Sequence, residues 1–301
     1  MLNIIGQRKI WLISSGLLVL VAIISLFVWG LKFGIDFTGG SILEVAYSKE
    51  RPSMTAVQGA LTGLDLANVR LQPSGEKDYI LRFEEIEEIT HQNILTSLEA
   101  IKIDGVDDNV LSELRFEAVG PVIGQELKVK ALQAIVVVLI FIILYIAYAF
   151  RKVSKPVASW KYGLAAIIAL VHDILVVIGV FSILGHFMNV EVDILFVTAL
   201  LTILGFSVHD TIVTFDRIRE NLFRNQDQSF QEIVNNSINQ TIVRSINTSF
   251  TTLLALLAVY FFGGKSIQNF ALALILGVIA GTYSSIFLAS PLLVIWNKKK
   301  E

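Results

Sequence analysis

Long apolar runs alternate with short polar ones along this chain, and one long polar stretch, residues 32–129, interrupts them. The apolar runs fall at 10–31, 130–150, 163–185, 192–213, 245–262 and 269–295. Each approaches the ~20 residues an α-helix needs to cross a hydrocarbon core, so the pattern predicts six transmembrane helices. The first run exceeds the ~7–15 residue apolar core of a signal peptide, and Ile35-Asp36-Phe37-Thr38 follows where a small-residue cleavage site should stand. It is expected to remain as an anchor. The chain therefore divides into 1–31 (N-terminus and first helix), 32–129 (soluble domain), 130–295 (five helices with polar loops 151–162 and 214–244) and a basic tail, 296–301.

Within 32–129 the periodicity changes repeatedly. Ser41–Tyr47 alternates as a β-strand, and Ser53 can cap a helix running to Leu64. Val69–Leu71 and Tyr79–Phe83 read as strands on either side of a turn at Pro73-Ser74-Gly75. Thr90 opens a second helix that carries Ile94, Leu95, Leu98 and Ile101 at helical spacing, and Leu111–Val119 closes as a strand with Leu111, Leu114, Phe116 and Ala118 apolar. The order β-α-β-β-α-β is that of the ferredoxin-like split unit. The fold class expected is a polytopic α-helical membrane protein with one α+β ferredoxin-like domain between helices 1 and 2.

Composition sharpens this picture. The chain is 54% hydrophobic and 17% charged, against about 25% charged in soluble proteins. It has no cysteine, which excludes disulfides and thiolate metal sites. The soluble domain holds nine basic and seventeen acidic residues without a basic cluster, so no nucleic-acid partner is expected. Basic residues gather in alternate polar segments: Arg8 and Lys9; Arg151, Lys152, Lys155 and Lys161; Arg217, Arg219, Arg224 and Arg244; Lys298, Lys299 and Lys300. The short opposite loops, 186–191 and 263–268, carry only Lys265. That bias puts both termini in the cytoplasm and residues 32–129 outside.

Three charges lie in or beside the apolar runs: Asp173, Asp210 and Arg244. Charge at that depth costs several kcal/mol unless paired or wetted. Asp210 and Arg244 fall at similar depth on antiparallel neighbours, so an ion pair is expected between them. Thr248 lies one turn beyond Arg244, with Thr251 and Thr252 a further turn on, as a polar stripe. Burial and a nearby cation pull the proton affinity of an acid in opposite directions, which would let Asp210 exchange a proton near neutral pH. A static salt bridge is the alternative. Asp173 is expected to face the bundle interior, as either a proton carrier or a packing element. His172-Asp173 and His209-Asp210 repeat the word VHD, but adjacent helical residues point about 100° apart, which argues against a shared metal ligand set. No metal or cofactor is expected. Phe215, Ile218, Leu222, Phe230, Ile233 and Val234 suggest short helices lying on the membrane surface or a solvated loop, and Gly277 and Gly281 form a GxxxG packing motif.

The segment Phe33-Gly34-Ile35-Asp36-Phe37-Thr38-Gly39-Gly40-Ser41 follows the first helix. Its two glycines permit positive φ, and Asp36 and Thr38 can bond local amides, so composition alone gives a tight turn between helix and strand. No Lys-Ser/Thr helix start follows, which excludes a phosphate loop. This segment, Val119–Leu127 (VGPVIGQEL, with Gly120 and Pro121) and Gly205–Asn221 (GFSVHDTIVTFDRIREN), taken in order, resemble the SecF members of the SecD/SecF family in the resistance-nodulation-division superfamily. The resemblance covers about Lys32 to Pro291. It implies an accessory subunit of protein export in the bacterial cytoplasmic membrane, driven by the proton motive force. It also implies SecD as partner, the SecYEG channel as client, contact with translocating preproteins and membrane lipid, roles for Asp210 and Arg244 in proton movement, and some role for Asp173. No soluble catalytic set or Walker loop is present in the sequence, so an enzyme is not expected. Half of a small-molecule or lipid exporter of that superfamily, and a structural scaffold, remain as other readings. A single small soluble domain and one six-helix half favour the accessory subunit.

Overall fold

A computed structural model of the chain describes residues 2–64, 66–103, 106, 108–149, 158–224 and 227–297. Arg151, Lys152, Lys155 and the tail lysines Lys298, Lys299 and Lys300 lie outside the described residues. The polypeptide divides into two units, Phe33–Lys130 and the remainder.

Helix α1 (Arg8–Trp29) opens the larger unit. The smaller unit begins with the one-turn helix α2 (Ile35–Thr38) and continues as β1 (Gly40–Tyr47), α3 (Met54–Leu61), β2 (Arg70–Ser74), β3 (Asp78–Phe83), α4 (Glu88–Glu99) and β4 (Leu111–Val119). Its four strands pair antiparallel in the order β2-β3-β1-β4, the arrangement of a split β-α-β unit. Leu43, Val45, Tyr47, Leu81 and Phe83 from the sheet bury against Val57, Ile94 and Leu98 from the helices. Ser53 caps α3 by accepting from the Ala56 amide.

Two details depart from the pattern in the sequence. Pro73 and Ser74 belong to β2 rather than to a turn, and the chain reverses at Gly75, whose φ is 59°. Proline is tolerated there because β2 is an edge strand. Leu114 is 55% exposed instead of joining the core. The β1–β4 register shifts at Glu44/Val45, where Arg115 and Glu113 are the paired residues, so Leu114 is the extra residue of a β-bulge.

Helix α5 (Pro121–Ala149) starts in the smaller unit and enters the larger at Ala131; the larger unit continues through α6 (Ser159–Met188), α7 (Ile194–Arg224), α8 (Phe230–Phe262) and α9 (Lys265–Ser284). A π-turn (Ser285–Ala289) joins α9 to α10 (Ser290–Asn297). Pro291 explains the wide turn, because its ring crowds the carbonyl four residues earlier and it has no amide hydrogen to donate. With α9 and α10 taken as one span, six helices among the described residues are long and apolar enough to cross a membrane. Helices α6, α7 and α9 form the centre, while α5 and α8 turn most of their length outward.

Among its described residues, the segment 214–244 carries no short surface helices. Helices α7 and α8 run on through it as a hairpin, in which Phe215, Ile218, Phe230, Ile233 and Val234 are buried with Ile4 and Ile5 of the N-terminal segment. The apolar faces read as membrane-facing cover one another instead. Ser229 and Glu232 close a full capping box at the start of α8, which fixes where the hairpin turns. The GxxxG motif packs internally: a Cβ at Gly277 would sit 2.2 Å from Ile203, and one at Gly281 would sit 2.9 Å from Ser207 Cβ.

Candidate functional site

A seam of buried polar residues runs between α7 and α8. On α7, Ser207, Asp210, Thr211 and Thr214 recur at three- and four-residue spacing and are all buried. On α8, Ser237, Thr241, Ser245 and Ser249 recur every four residues and are buried too. Helical phase therefore lines each helix with small hydroxyls. Towards the hairpin end the seam closes with Asn221, which donates to Ser237 Oγ and to Gln240 Oε1, each at 2.8 Å.

Asp210 sits within this seam at 4% exposure. The Ser245 hydroxyl hydrogen-bonds to its carboxylate. Among the described residues its Oδ2 has no partner, and neither does Oγ1 of Thr214, one turn further along α7. A buried carboxyl with a hydroxyl beside it and no partner on Oδ2 among the described residues is suited to exchanging a proton.

No ion pair joins Asp210 to Arg244 among the described residues, and Arg244 is exposed. The expected depth is right, since Ser245 touches Asp210. The azimuth is not. Ser245 takes the inward face of α8, and a residue one step away points about 100° elsewhere. Arg244 thus shares the outer face with Val243, Asn247, Thr248 and Thr251, all exposed. The Thr251 and Thr252 hydroxyls donate to carbonyls of their own helix, so this outward stripe makes no contact with the seam through them.

Asp173 on α6 is fully buried and is held from three helices. Ser207 Oγ of α7 donates to its Oδ2 at 2.5 Å, Ser284 Oγ of α9 donates to the same oxygen at 2.7 Å, and His172 Nδ1 lies 2.9 Å from Oδ1. The His172 ring stacks near Tyr283, which in turn bonds Ser14 and Ser15 of α1. The sequence placed Asp173 inside the bundle but missed Ser207, Ser284 and Ser245 as its neighbours and those of Asp210. The four-residue recurrence of serine and threonine in α8 is the signal that could have found the seam. His172 and Asp173, read as pointing apart, touch through His172 Nδ1 and Asp173 Oδ1. His209, the other histidine of the repeated word, is exposed.

In the smaller unit, Gly34 precedes α2, and Thr38 Oγ1 donates to the Gly34 carbonyl at 3.0 Å rather than accepting from an amide. Phe33 packs edge-on against Phe37, with Lys128 Nζ 4.4 Å from the Phe33 ring centroid. Asp36 lies in the first turn of α2. Gly39 (φ 75°) and Gly40 (φ 118°) are required at this junction. A Cβ on Gly39 would lie 2.7 Å from Pro121 Cα, and one on Gly40 would lie 2.9 Å from the Phe83 carbonyl oxygen. Gly120 precedes Pro121, which occupies the first position of α5, where its missing amide hydrogen costs nothing. These residues form a structural joint.

Comparison with known proteins identifies this joint and the bundle together. The profile described as protein export membrane protein SecD/SecF, C-terminal, matches residues 101–299, and that of the SecD/SecF GG motif matches residues 24–50. The chain belongs to the SecD/SecF family. Curated relatives within this SecD/SecF family include protein translocase subunit SecF of Thermobaculum terrenum, 44% identical over 99% of this chain and 95% of the relative. Protein translocase subunit SecF of Pseudomonas aeruginosa is 35% identical over 100% and 93%. The crystal structure of SecDF, a translocon-associated membrane protein from Thermus thermophilus, superposes with a TM-score of 0.83 at 32% identity, covering 99% of this chain and 39% of that one. A super-membrane-facing form of SecDF superposes with a TM-score of 0.69 at 33% identity. The SecD/SecF chain described here thus spans 39% of the length of the SecDF chain it resembles.

Proposed function

We propose that this chain is the SecF subunit of a Sec translocase accessory complex in the bacterial cytoplasmic membrane. It works with SecD to assist preprotein export through SecYEG at the expense of the proton gradient, without catalytic chemistry of its own. The relatives named protein translocase subunit SecF, matched over nearly their whole length, support the role. The observation that carries the mechanism is Asp210, buried in a hydroxyl-lined seam with one carboxyl oxygen unpartnered. Proton exchange at that carboxyl changes the charge between α7 and α8, and a change of charge in a low-dielectric seam shifts helix packing. The basic-residue bias supports cytoplasmic termini and an exoplasmic α/β unit.

The outer face of α8 supports the partnership. Asn247, Thr248 and Thr251 lie within a membrane span, with Arg244 at its edge, and all four are exposed in this chain. Polar groups at that depth need protein or water beside them. The longer SecDF chain, of which this chain covers 39%, supports a SecD part as that neighbour.

The test is Asp210→Asn, which keeps the shape of the side chain and removes its titration. Export into vesicles is measured with and without an imposed proton gradient, together with the amount of assembled complex. Asp210→Asn is expected to keep assembly and lose the gradient-dependent part of export. Wild-type stimulation by the gradient would refute the reading and leave a scaffold as the better account.

A further inference from the structure

Asp173 is placed differently from Asp210, and the difference points to a second task. Its two oxygens have three donors, drawn from α6, α7 and α9. A static anchor needs no more than that. Ser284 offers more: its hydroxyl lies 2.7 Å from Asp173 Oδ2 and 3.2 Å from the Gly281 carbonyl oxygen. A hydroxyl has one hydrogen and two acceptor lone pairs, so it serves one of these acceptors at a time.

We propose that Asp173 is a second proton-holding group of the bundle, with Ser284 as the switchable hydroxyl that lets it hold the proton without moving. In the ionised form, Ser284 Oγ–H and Ser207 Oγ–H both donate to Oδ2, and His172 Nδ1–H donates to Oδ1. When a proton binds Oδ2, the Ser284 hydroxyl turns its hydrogen to the Gly281 carbonyl and accepts the new O–H from Asp173. Ser207 keeps donating to Oδ2, and His172 keeps donating to Oδ1. Loss of the proton reverses the rotation. Every buried polar group of the carboxyl is satisfied in both states, and no heavy atom has to shift.

The surroundings fit this assignment. His172 is 3% exposed and its Nε2 has no partner. The Nδ1–H tautomer leaves a bare lone pair there rather than a buried, unpaired N–H, and it points the hydrogen at Asp173. The titratable groups around the carboxyl are His172 itself, Tyr283 of α9 stacked on the His172 ring, and Asp210 one turn beyond Ser207 on α7. His172 is the one ion-pair partner of Asp173 among the described residues. Ser284 is the last residue before the π-turn, a feature that recurs at functional sites in helices.

The inference rests on the gradient-driven reading above, and infrared spectroscopy separates the two. The full chain, reconstituted in lipid, is titrated while protonated-carboxyl C=O bands are followed in difference spectra. A band lost in Asp173→Asn and retained in Asp210→Asn is expected. In Ser284→Ala that band should shift in frequency and lose amplitude, because the acceptor of the Asp173 proton is gone. In Ser207→Ala it should persist with a smaller shift. If Asp173→Asn does not assemble, the Ser284→Ala shift decides the same question. Absence of any band sensitive to Asp173 or Ser284 overturns the proposal while leaving the role of Asp210 intact. A band sensitive to Asp173 but none sensitive to Asp210 would keep the proposal and sink the assignment of Asp210.

Discussion

Substituting Gly277 tests whether the centre of the bundle is held at the spacing that Asp173 requires. An ideal Cβ at this position lies 2.2 Å from Ile203 Cγ1, 2.3 Å from Cδ1 and 2.8 Å from Cγ2. Carbon contacts are best near ~3.5–4.0 Å, so the new methyl intrudes by about 1.5 Å. Ile203 is 1% exposed and has no open side to rotate into. Overpacking of this kind costs about 1–3 kcal/mol. Ile203→Ala removes all three clashing atoms at a cost of its own, about 2–5 kcal/mol for the lost burial and the cavity left behind. In the double variant the methyl introduced by Gly277→Ala occupies part of that space, so the combined loss should fall short of the sum by about 1–3 kcal/mol.

Reversible unfolding of the full chain in mixed micelles, followed by far-UV circular dichroism, measures the cycle. Additive losses, or a Gly277→Ala variant as stable as the parent, would refute the close α7–α9 contact. Because Ile203 lies one turn from Ser207 and Gly277 two turns from Ser284, the same displacement should also disturb the hydroxyls on Asp173.

Two further outcomes are expected outside the spans. Burial, reinforced by nearby Tyr79, pushes the Tyr47 phenol up to about 12 from its ordinary value of 10.0. The folded value lies above the unfolded one, so its contribution is fully present below pH 10.0 and is lost as pH rises toward about 12. The loss amounts to about 1–2 kcal/mol after solvent screening, and Tyr47→Phe should remove that part of the alkaline destabilisation seen in a tyrosinate absorbance titration; an unchanged profile would contradict it. Asn235 Oδ1 accepts from the Ile4 and Ile5 amides at 3.0 and 3.2 Å, and its Nδ2 donates to the Leu2 carbonyl. Asn235→Ala should cost about 1–3 kcal/mol locally and speed amide exchange at Ile4 and Ile5, whereas unchanged exchange would mean that the N-terminal segment is held by its apolar contacts alone.

The sequence was most legible where one periodicity ruled a whole element. The strand at Leu111–Val119 and the helix capped by Ser53 were readable because alternation and capping are local. Pro73 misled because tolerance of proline depends on which strand is at the edge, and edge position is a property of the sheet. Leu114 misled because a bulge shifts alternation by one residue, and only the pairing partner reveals it. Arg244 and Ser245 mark the harder limit. Depth in the membrane follows from position along the chain, but the choice of which neighbour turns inward needs the phase of the whole helix, and Ser237, Thr241, Ser245 and Ser249 set that phase together. The hairpin beyond the spans was hidden for a related reason, since an apolar stripe does not say whether lipid or protein covers it.

The two buried acids differ in what surrounds them, and the difference fits the two tasks proposed for them. Asp210 has one hydroxyl and a free oxygen, in a seam whose small polar side chains continue along α7 and α8 to Asn221 and Ser237 near the hairpin. Asp173 is enclosed, with both oxygens bonded and with Ser284 Oγ in reach of both its Oδ2 and the Gly281 carbonyl. A group that must trade protons with a path needs the first environment. A group that must keep three helices in register while its charge changes needs the second. Ser207 stands between them, donating to Asp173 and sharing with Asp210 one face of α7. On the reading proposed above, a movement of α7 that follows a change of charge at Asp210 pulls directly on the hydrogen bond that holds Asp173, so the pair, rather than either acid alone, would be the unit through which a proton alters the packing of the bundle.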